Sequence, residues 1–227
     1  MEPVSRPRVK ICCISSVEEA WLAMRYGASA LGLVSAMPSG PGVIEDNLIR
    51  EIAATIPPGV ATFLLTSAQD AEAIIAQQRH TGVNTLQICD RLTGGSYEDI
   101  RDALPGIKLV QVIHVTGPQS LDEARMVATQ VDAILLDSGN QSLAVKELGG
   151  TGRVHDWAIS RAIRAAIDIP LYLAGGLNAD NVGEAIEAVR PFALDICSGV
   201  RTDGSLDEAK LSAFMRAAGV LSKDARV

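Results

Sequence analysis

Aromatic side chains are scarce in this chain: Phe 3, Tyr 3 and Trp 2 amount to 4% of its 227 residues. Hydrophobic residues nevertheless reach 48%, so a core must be filled by Val, Ile, Leu and Ala, the composition of parallel strands buried on both faces. A long basic run is also missing and the net charge is −7, so no nucleic-acid partner is expected. No apolar stretch reaches the roughly 18–20 residues that span a bilayer, and no membrane partner is expected. The opening MEPVSRPRVK lacks the apolar segment of a secretory signal, which with the rest leads us to expect a cytoplasmic protein. Cysteine is limited to Cys12, Cys13, Cys89 and Cys197, without the paired CxxC spacing of a zinc site. Reduced cytoplasmic thiols fit that pattern better than a disulfide framework, and no metal is expected.

What the chain does have is alternation. Short runs rich in β-branched residues lie at Val9–Ile14, Ala30–Val34, Val60–Leu65, Thr85–Ile88, Leu109–Val115, Ala133–Leu136, Leu171–Ala174 and Ala193–Cys197. Amphipathic, Ala- and Glu-rich segments separate them, at Val17–Tyr26, Asp46–Thr55, Ala68–His80, Tyr97–Ala103, Ser120–Gln130, Trp157–Ile167, Asn181–Val189 and Asp207–Ala218. Ser15–Ser16 and Gly27 suit the two ends of the first helix, and Pro57–Pro58 cannot continue the second. Strands alternating with helices make parallel βαβ units. Eight of them in one chain fit a closed (β/α)8 TIM barrel better than an open doubly wound sheet. No linker divides the sequence, so one domain over 1–227 is expected, with flexible ends at 1–7 and 220–227. The single long irregular stretch, Asp137–Asp156, follows the sixth strand, and a loop of that length in a small domain is commonly functional.

Three glycine segments fall at the C-terminal ends of the last three strands: Gly149-Gly150-Thr151-Gly152, Ala174-Gly175-Gly176-Leu177 and Cys197-Ser198-Gly199-Val200. Any one of them could simply turn the chain. Together, at one rim, they suit a phosphate held by backbone N–H groups, and barrels commonly bind phosphate after strands seven and eight. Basic residues are few there. Arg153 and Arg201 are the candidates, with Arg201 able to face either the phosphate or solvent.

Polar residues at the C-terminal ends of barrel strands face the active site. The first strand brings Cys12 or Cys13 there, and the sixth brings Asp137. Alternation puts Lys10 and Cys12 on one face, with Val9, Ile11 and Cys13 on the other. A lysine facing the barrel interior requires a partner or a place near the rim. A thiol and a carboxylate on opposite walls could act as base and acid. A buried cysteine is equally consistent with a small hydrophobe.

The series Lys10-Ile11-Cys12, Leu135-Leu136-Asp137, Gly149-Gly150-Thr151-Gly152 with Asp156-Trp157, Leu173-Ala174-Gly175-Gly176-Leu177-Asn178 with Asn181-Val182, and Asp195 with Ser198-Gly199-Val200 resembles the phosphoribosylanthranilate isomerase family. The likeness runs from about Val9 to Met215. It implies an Amadori rearrangement of N-(5-phosphoribosyl)anthranilate in tryptophan biosynthesis, without a cofactor. Asp137 would be the general acid that opens the furanose ring, and Cys12 the base that takes the C2 proton. Gly150, Gly152, Gly175, Gly176, Ser198 and Gly199 match the phosphate segments, while Asp195 and Arg201 are expected at the substrate.

By this resemblance the chain would be a divergent member. The family usually has glycine where Cys13 stands. It carries a Ser-x-Arg after the second strand, whose arginine meets the anthranilate carboxylate, whereas Ser39-Gly40-Pro41-Gly42 has none and Arg50 falls inside a helix. Gln-Leu-His-Gly has become Gln87-Ile88-Cys89-Asp90, and the acidic residue after Ser-Gly-Val is Arg201. Losing a bidentate arginine from a carboxylate site costs a few kcal/mol. Three functions are therefore compatible with the sequence: the isomerase itself, with Arg91 or Arg201 holding the carboxylate; the same chemistry on an N-ribosyl phosphate lacking it; or a silent sugar-phosphate-binding barrel. A monomer or homodimer is expected.

Overall fold

In a computed structural model, which describes residues 6–150 and 152–222, the eight β-branched runs lie side by side as strands. They are β1 (Arg8–Ile11), β2 (Ala30–Val34), β3 (Ala61–Thr66), β4 (Thr85–Ile88), β5 (Lys108–His114), β6 (Ala133–Asp137), β7 (Leu171–Leu173) and β8 (Ala193–Ile196). All neighbouring pairs are parallel, and β1 pairs with β8, Lys10 opposite Asp195, to close the barrel. Outside it run α1 (Val17–Arg25), α2 (Asp46–Thr55), α3 (Ala71–Thr81), α4 (Tyr97–Ala103), α5 (Ser120–Ala128), α6 (Trp157–Ala166), α7 (Val182–Val189) and α8 (Glu208–Ala217). After β8 come a 3₁₀ turn, Ser198–Val200, and a two-rung hairpin of Arg201–Thr202 with Ser205–Leu206.

The (β/α)8 reading holds, and element ends differ from expectation for local reasons. β1 stops at Ile11 rather than Ile14 because Cys13 takes φ +61, which no strand accommodates. α3 starts at Ala71 rather than Ala68 because Asp70 caps it, accepting from Ala73 N at 3.1 Å. The expected flexible ends lie largely outside the described residues. Within them, Pro7 is buried and Val220 and Leu221 pack against the core, so these three belong to the folded body.

Strand alternation divides the core into two layers. Val9, Ile11, Leu33, Leu64, Leu86, Leu136 and Leu194 face the helices, while Cys12, Phe63, Leu65, Val110, Val112 and Leu135 fill the barrel interior. Three of the eight aromatics meet inside the barrel: Phe63 meets Tyr172 edge-on at 5.7 Å, and Tyr172 meets Phe192 at 5.8 Å. They plug the lower barrel, leaving the C-terminal end open.

Candidate active site

The open end holds a cavity walled by residues from β2, β3, β4, β6 and β8 and by the segments that follow several strands, β1 and β7 among them. Lys10 lies beneath it, fully buried, with its Nζ 2.8 Å from Asp195 Oδ1 and 5.2 Å from the centre of the Phe63 ring. Burial works to lower the lysine pKa, and the Asp195 carboxylate outweighs it and holds the ammonium charged. The pairing needed for an interior lysine is thus present. Cys12 follows on the same face. A methyl group at Gly32 of β2 would lie 2.9 Å from Cys12 Sγ and 3.0 Å from Lys10 Nζ, so the missing side chain makes room for both.

Cys13 departs from the expected alternation. The chain leaves the strand before it, and its side chain joins the interior cluster and lines the cavity beside Cys12. Its sulfur lies 2.6 Å from that of Cys197, at the end of β8.

On β6, Asp137 ends the strand opposite His114 of β5 and lines the same cavity as Cys12. Its Oδ1 accepts from Ser138 N at 2.7 Å. The loop 138–156 folds over it. A Cβ at Gly149 would come within 2.7 Å of Asp137 Oδ2, so glycine lets this loop approach the carboxylate. The loop is braced by mutual backbone bonds between Asn140 and Glu147 (2.8 and 3.0 Å) and by Ser39 Oγ donating to Lys146 O at 2.7 Å.

Gly150, Gly152, Gly175, Gly176 and Ser198 all line the cavity. Gly175 and Gly176 have φ +87 and +62, and a Cβ at Gly176 would lie 2.7 Å from backbone of Arg153. Asn178 and Asn181 lock that turn: Asn181 Oδ1 accepts from Asn178 N, and Asn181 Nδ2 donates to Gly176 O, both at 2.9 Å. Gly199 stands just behind the cavity, where a Cβ would strike Leu177 O at 2.1 Å. It lets two rim loops touch. Thr151 lies outside the described residues.

Arg201 is placed differently from the substrate contact expected of it. Its guanidinium is absent from the cavity wall and pairs with Glu19 at 3.0 Å, donating also to the carbonyls of Cys12 (3.3 Å), Cys13 and Gly204 (2.7 Å). Glu19 in turn accepts from Ser15 N at 3.0 Å and Leu206 N at 2.7 Å. Burial pushes the Glu19 carboxyl up, but Arg201 and the two amides hold it below the ordinary range. This pair braces the β1 and β8 loops from outside, because the hairpin after the 3₁₀ turn folds Arg201 back against α1. Arg91 is likewise occupied elsewhere, at 2.9 Å from Glu123 on the exposed surface. Among the described residues no Lys or Arg lines the cavity, whereas Asp137 and Asp195 do. Lys146 pairs with buried Asp90, at the position where the resemblance predicts glycine.

Gln87 was not singled out as a site residue by sequence reasoning. It is buried on the cavity wall, its Oε1 has no hydrogen-bond partner, and its Nε2 finds only Cys89 Sγ at 3.8 Å. An unsatisfied buried amide costs about 1–3 kcal/mol, which a ligand's polar group would recover. The signal available in sequence was a glutamine inside an apolar strand.

Comparison with known proteins follows this geometry. The model of the N-(5'-phosphoribosyl)anthranilate (PRA) isomerase family matches residues 9–217. The chain belongs to the PRA isomerase family. It is 38% identical to N-(5'-phosphoribosyl)anthranilate isomerase 2 of Methanosarcina mazei, covering 93% of both chains. With the enzyme of that name from Haloferax volcanii it shares 35%, over 93% of this chain and 92% of that one. Among solved structures, the phosphoribosyl anthranilate isomerase of Thermotoga maritima superposes with a TM-score of 0.78 at 29% identity, covering 95% of this chain and all (100%) of that one. A PRA isomerase solved with reduced 1-(o-carboxyphenylamino)-1-deoxyribulose 5-phosphate gives 0.75 at 28% identity, with 95% and 100% coverage. Membership of the PRA isomerase family accounts for the motif order and the barrel.

Proposed function

We propose that this protein catalyses the Amadori rearrangement of N-(5-phosphoribosyl)anthranilate in tryptophan biosynthesis, an intramolecular oxidoreduction that turns an aldose derivative into a ketose. The observation that carries this reading is a thiol, Cys12, and a carboxyl, Asp137, facing one cavity beneath a glycine-built rim. Asp137 gives its proton to the furanose ring oxygen as the C1–O bond breaks, and the amine nitrogen forms the Schiff base. Cys12 takes the C2 proton. The freed electron pair moves toward nitrogen, giving an enolamine that tautomerises to the 1-deoxyribulose. Positioned acids and bases of this kind contribute about 10²–10⁴-fold each, and no cofactor is called for. Backbone N–H groups at Gly150, Gly152, Gly175, Gly176, Ser198 and Gly199 hold the phosphate, since among the described residues no Lys or Arg lines the cavity. Asp195, oriented by Lys10, accepts from a sugar hydroxyl, and Gln87 Oε1 accepts from a second substrate donor.

The protein acts in the cytoplasm as a monomer or homodimer; among the described residues no helix is long and apolar enough to cross a membrane. The test is to supply freshly generated phosphoribosylanthranilate and follow loss of its fluorescence. Turnover that disappears in Cys12→Ser and Asp137→Asn supports the reading. Tight binding of a ribulose-phosphate analogue with no turnover would overturn it in favour of a silent binding barrel.

One observation favours a second reading: a cavity with no lining Lys or Arg suits an N-ribosyl phosphate whose amine carries no carboxylate. Comparing kcat/KM for anthranilate and aniline derivatives of the same sugar separates the two.

A further inference from the structure

Cysteine at position 13 is costly where it stands. Its φ of +61 lies in the left-handed region, a conformation that costs a side-chain-bearing residue about 1–2 kcal/mol and suits glycine. Room has been made for the side chain as well: a Cβ on Gly42 would fall 2.4 Å from Cys13 Cβ. The thiol is directed to a second thiol. β1 and β8 are neighbours in register, Ile11 opposite Ile196, and Cys12 N continues their ladder onto Ile196 O at 2.8 Å. Cys13 and Cys197 therefore leave adjacent strand ends, Cys13 one position beyond the residue in register with Cys197. Their sulfurs are 2.6 Å apart, against about 2.05 Å in the bonded pair.

Access and reactivity favour the same pair. Both residues line the cavity, and Cys197 is the one of the four cysteines that is only half-buried. Its hydrogen bond with Cys13, and the charge of Arg201 behind it, pull the Cys197 thiol below the ordinary range despite burial. The vicinal thiol of Cys12 and the bond to Cys197 push Cys13 up. Disulfides in cytoplasmic proteins are mostly transient and regulatory.

We propose that Cys13 and Cys197 form a reversible disulfide at the mouth of the cavity and that this oxidation silences the site. With a peroxide, Cys197 thiolate attacks oxygen and becomes a sulfenic acid, releasing one water once its proton is counted. Cys13 thiolate then attacks that sulfur, forming S–S and releasing the second water. Two thiols lose two electrons and two protons, and one peroxide becomes two waters. A small disulfide such as oxidised glutathione gives the same product by exchange, leaving as two thiols. The cross-link ties together the residues next to Cys12 and Ser198, and displacements well under an ångström at reacting groups lower turnover. That last consequence rests on the isomerase reading; formation of the bond does not.

Reduced native protein is incubated with oxidised glutathione or dilute hydrogen peroxide, then denatured for thiol titration and peptide mapping. The expected result is a fall from four titratable thiols to two, loss of the mass of two hydrogens, and one peptide pair joining Cys13 to Cys197. Turnover should fall by about tenfold or more and return with dithiothreitol. Cys197→Ser and Cys13→Gly, the latter suited to the left-handed backbone, should retain all their remaining thiols and the same activity ratio with and without oxidant. Four titratable thiols after treatment, a Cys12–Cys13 link, or a mapped Cys13–Cys197 bond with unchanged turnover would each overturn the proposal. No turnover by the reduced protein, with the bond still forming, counts against the isomerase reading alone.

Discussion

The rim after β6, β7 and β8 and the wall contributed by β2 to β4 serve one cavity but are built by different means. The rim is made of backbone: glycines at positive φ, locked by Asn178 and Asn181, with a Cβ at Gly176 or Gly199 barred by neighbouring main chain. The wall is made of side chains, Met37, Leu65 and Gln87 among them. A backbone site tolerates few replacements, because a side chain at Gly176 or Gly199 meets main chain that cannot move aside and the other positive-φ glycines disfavour any side chain. A side-chain site can be rewritten residue by residue, and here it has been: the resemblance predicts an arginine after β2, a histidine at Cys89 and a glycine at Asp90. On the proposed function, the rim would hold the sugar phosphate and the wall would set which amine enters.

That contrast can be broken most directly at the Cys12/Asp137 pair. Cys12→Ser or Asp137→Asn is expected to lower kcat by about 10²–10⁴-fold, measured by loss of substrate fluorescence, with the far-ultraviolet spectrum unchanged. Next in size is Lys10→Met, which strands the Asp195 carboxylate in the barrel. Removing one partner of a buried pair costs about 3–5 kcal/mol, read as a lower urea midpoint at constant slope. Glu19→Gln tests the brace behind the rim and should cost about 1.5–3 kcal/mol at pH 7. Because Glu19 is held below its ordinary pKa of 4.5, its stabilisation is present above that value and is lost as pH falls through the lower folded value. Wild type should therefore lose that share of stability as pH falls below the ordinary value of 4.5 and through the lower folded one, while the variant does not; equal acid losses would refute the brace. On the wall, Gln87→Leu should raise KM several-fold and leave stability unchanged or improved, since an unsatisfied acceptor is removed. Arg91→Ala should do least. Its side chain is 67% exposed and paired on the surface, so an unchanged KM is expected, and a rise would return it to the site.

Much of the architecture was legible in residue order. β2, β4, α2 and α4 fall at their expected limits because each has its own boundary signal, such as Pro57 after α2 or Ser96 before α4. The rim glycines were legible too, because positive φ and close approach select a residue type. The misreadings have separate causes. Cys13 was assigned to the wrong face by extending a two-residue period past the end of its strand. Arg201 was expected at the ligand because it follows a rim motif, yet the hairpin turns it back onto Glu19, 182 positions away in sequence. Gln87 carried no motif of its own, and only the closed barrel reveals that its oxygen is unsatisfied.

By itself, then, the sequence determined the alternation of strands and helices, the closure expected of eight units, the glycine rim and the placing of Cys12 and Asp137 at strand ends that face one cavity. These depend on local period, turn chemistry and motif order, all of which are written along the chain. The tertiary structure alone decided which charges are already neutralised, Lys10 by Asp195 and Arg201 by Glu19, and that Cys13 meets Cys197 across adjacent strand ends. Those outcomes depend on contacts between residues more than 180 positions apart, and closure of the barrel is what brings them within bonding distance.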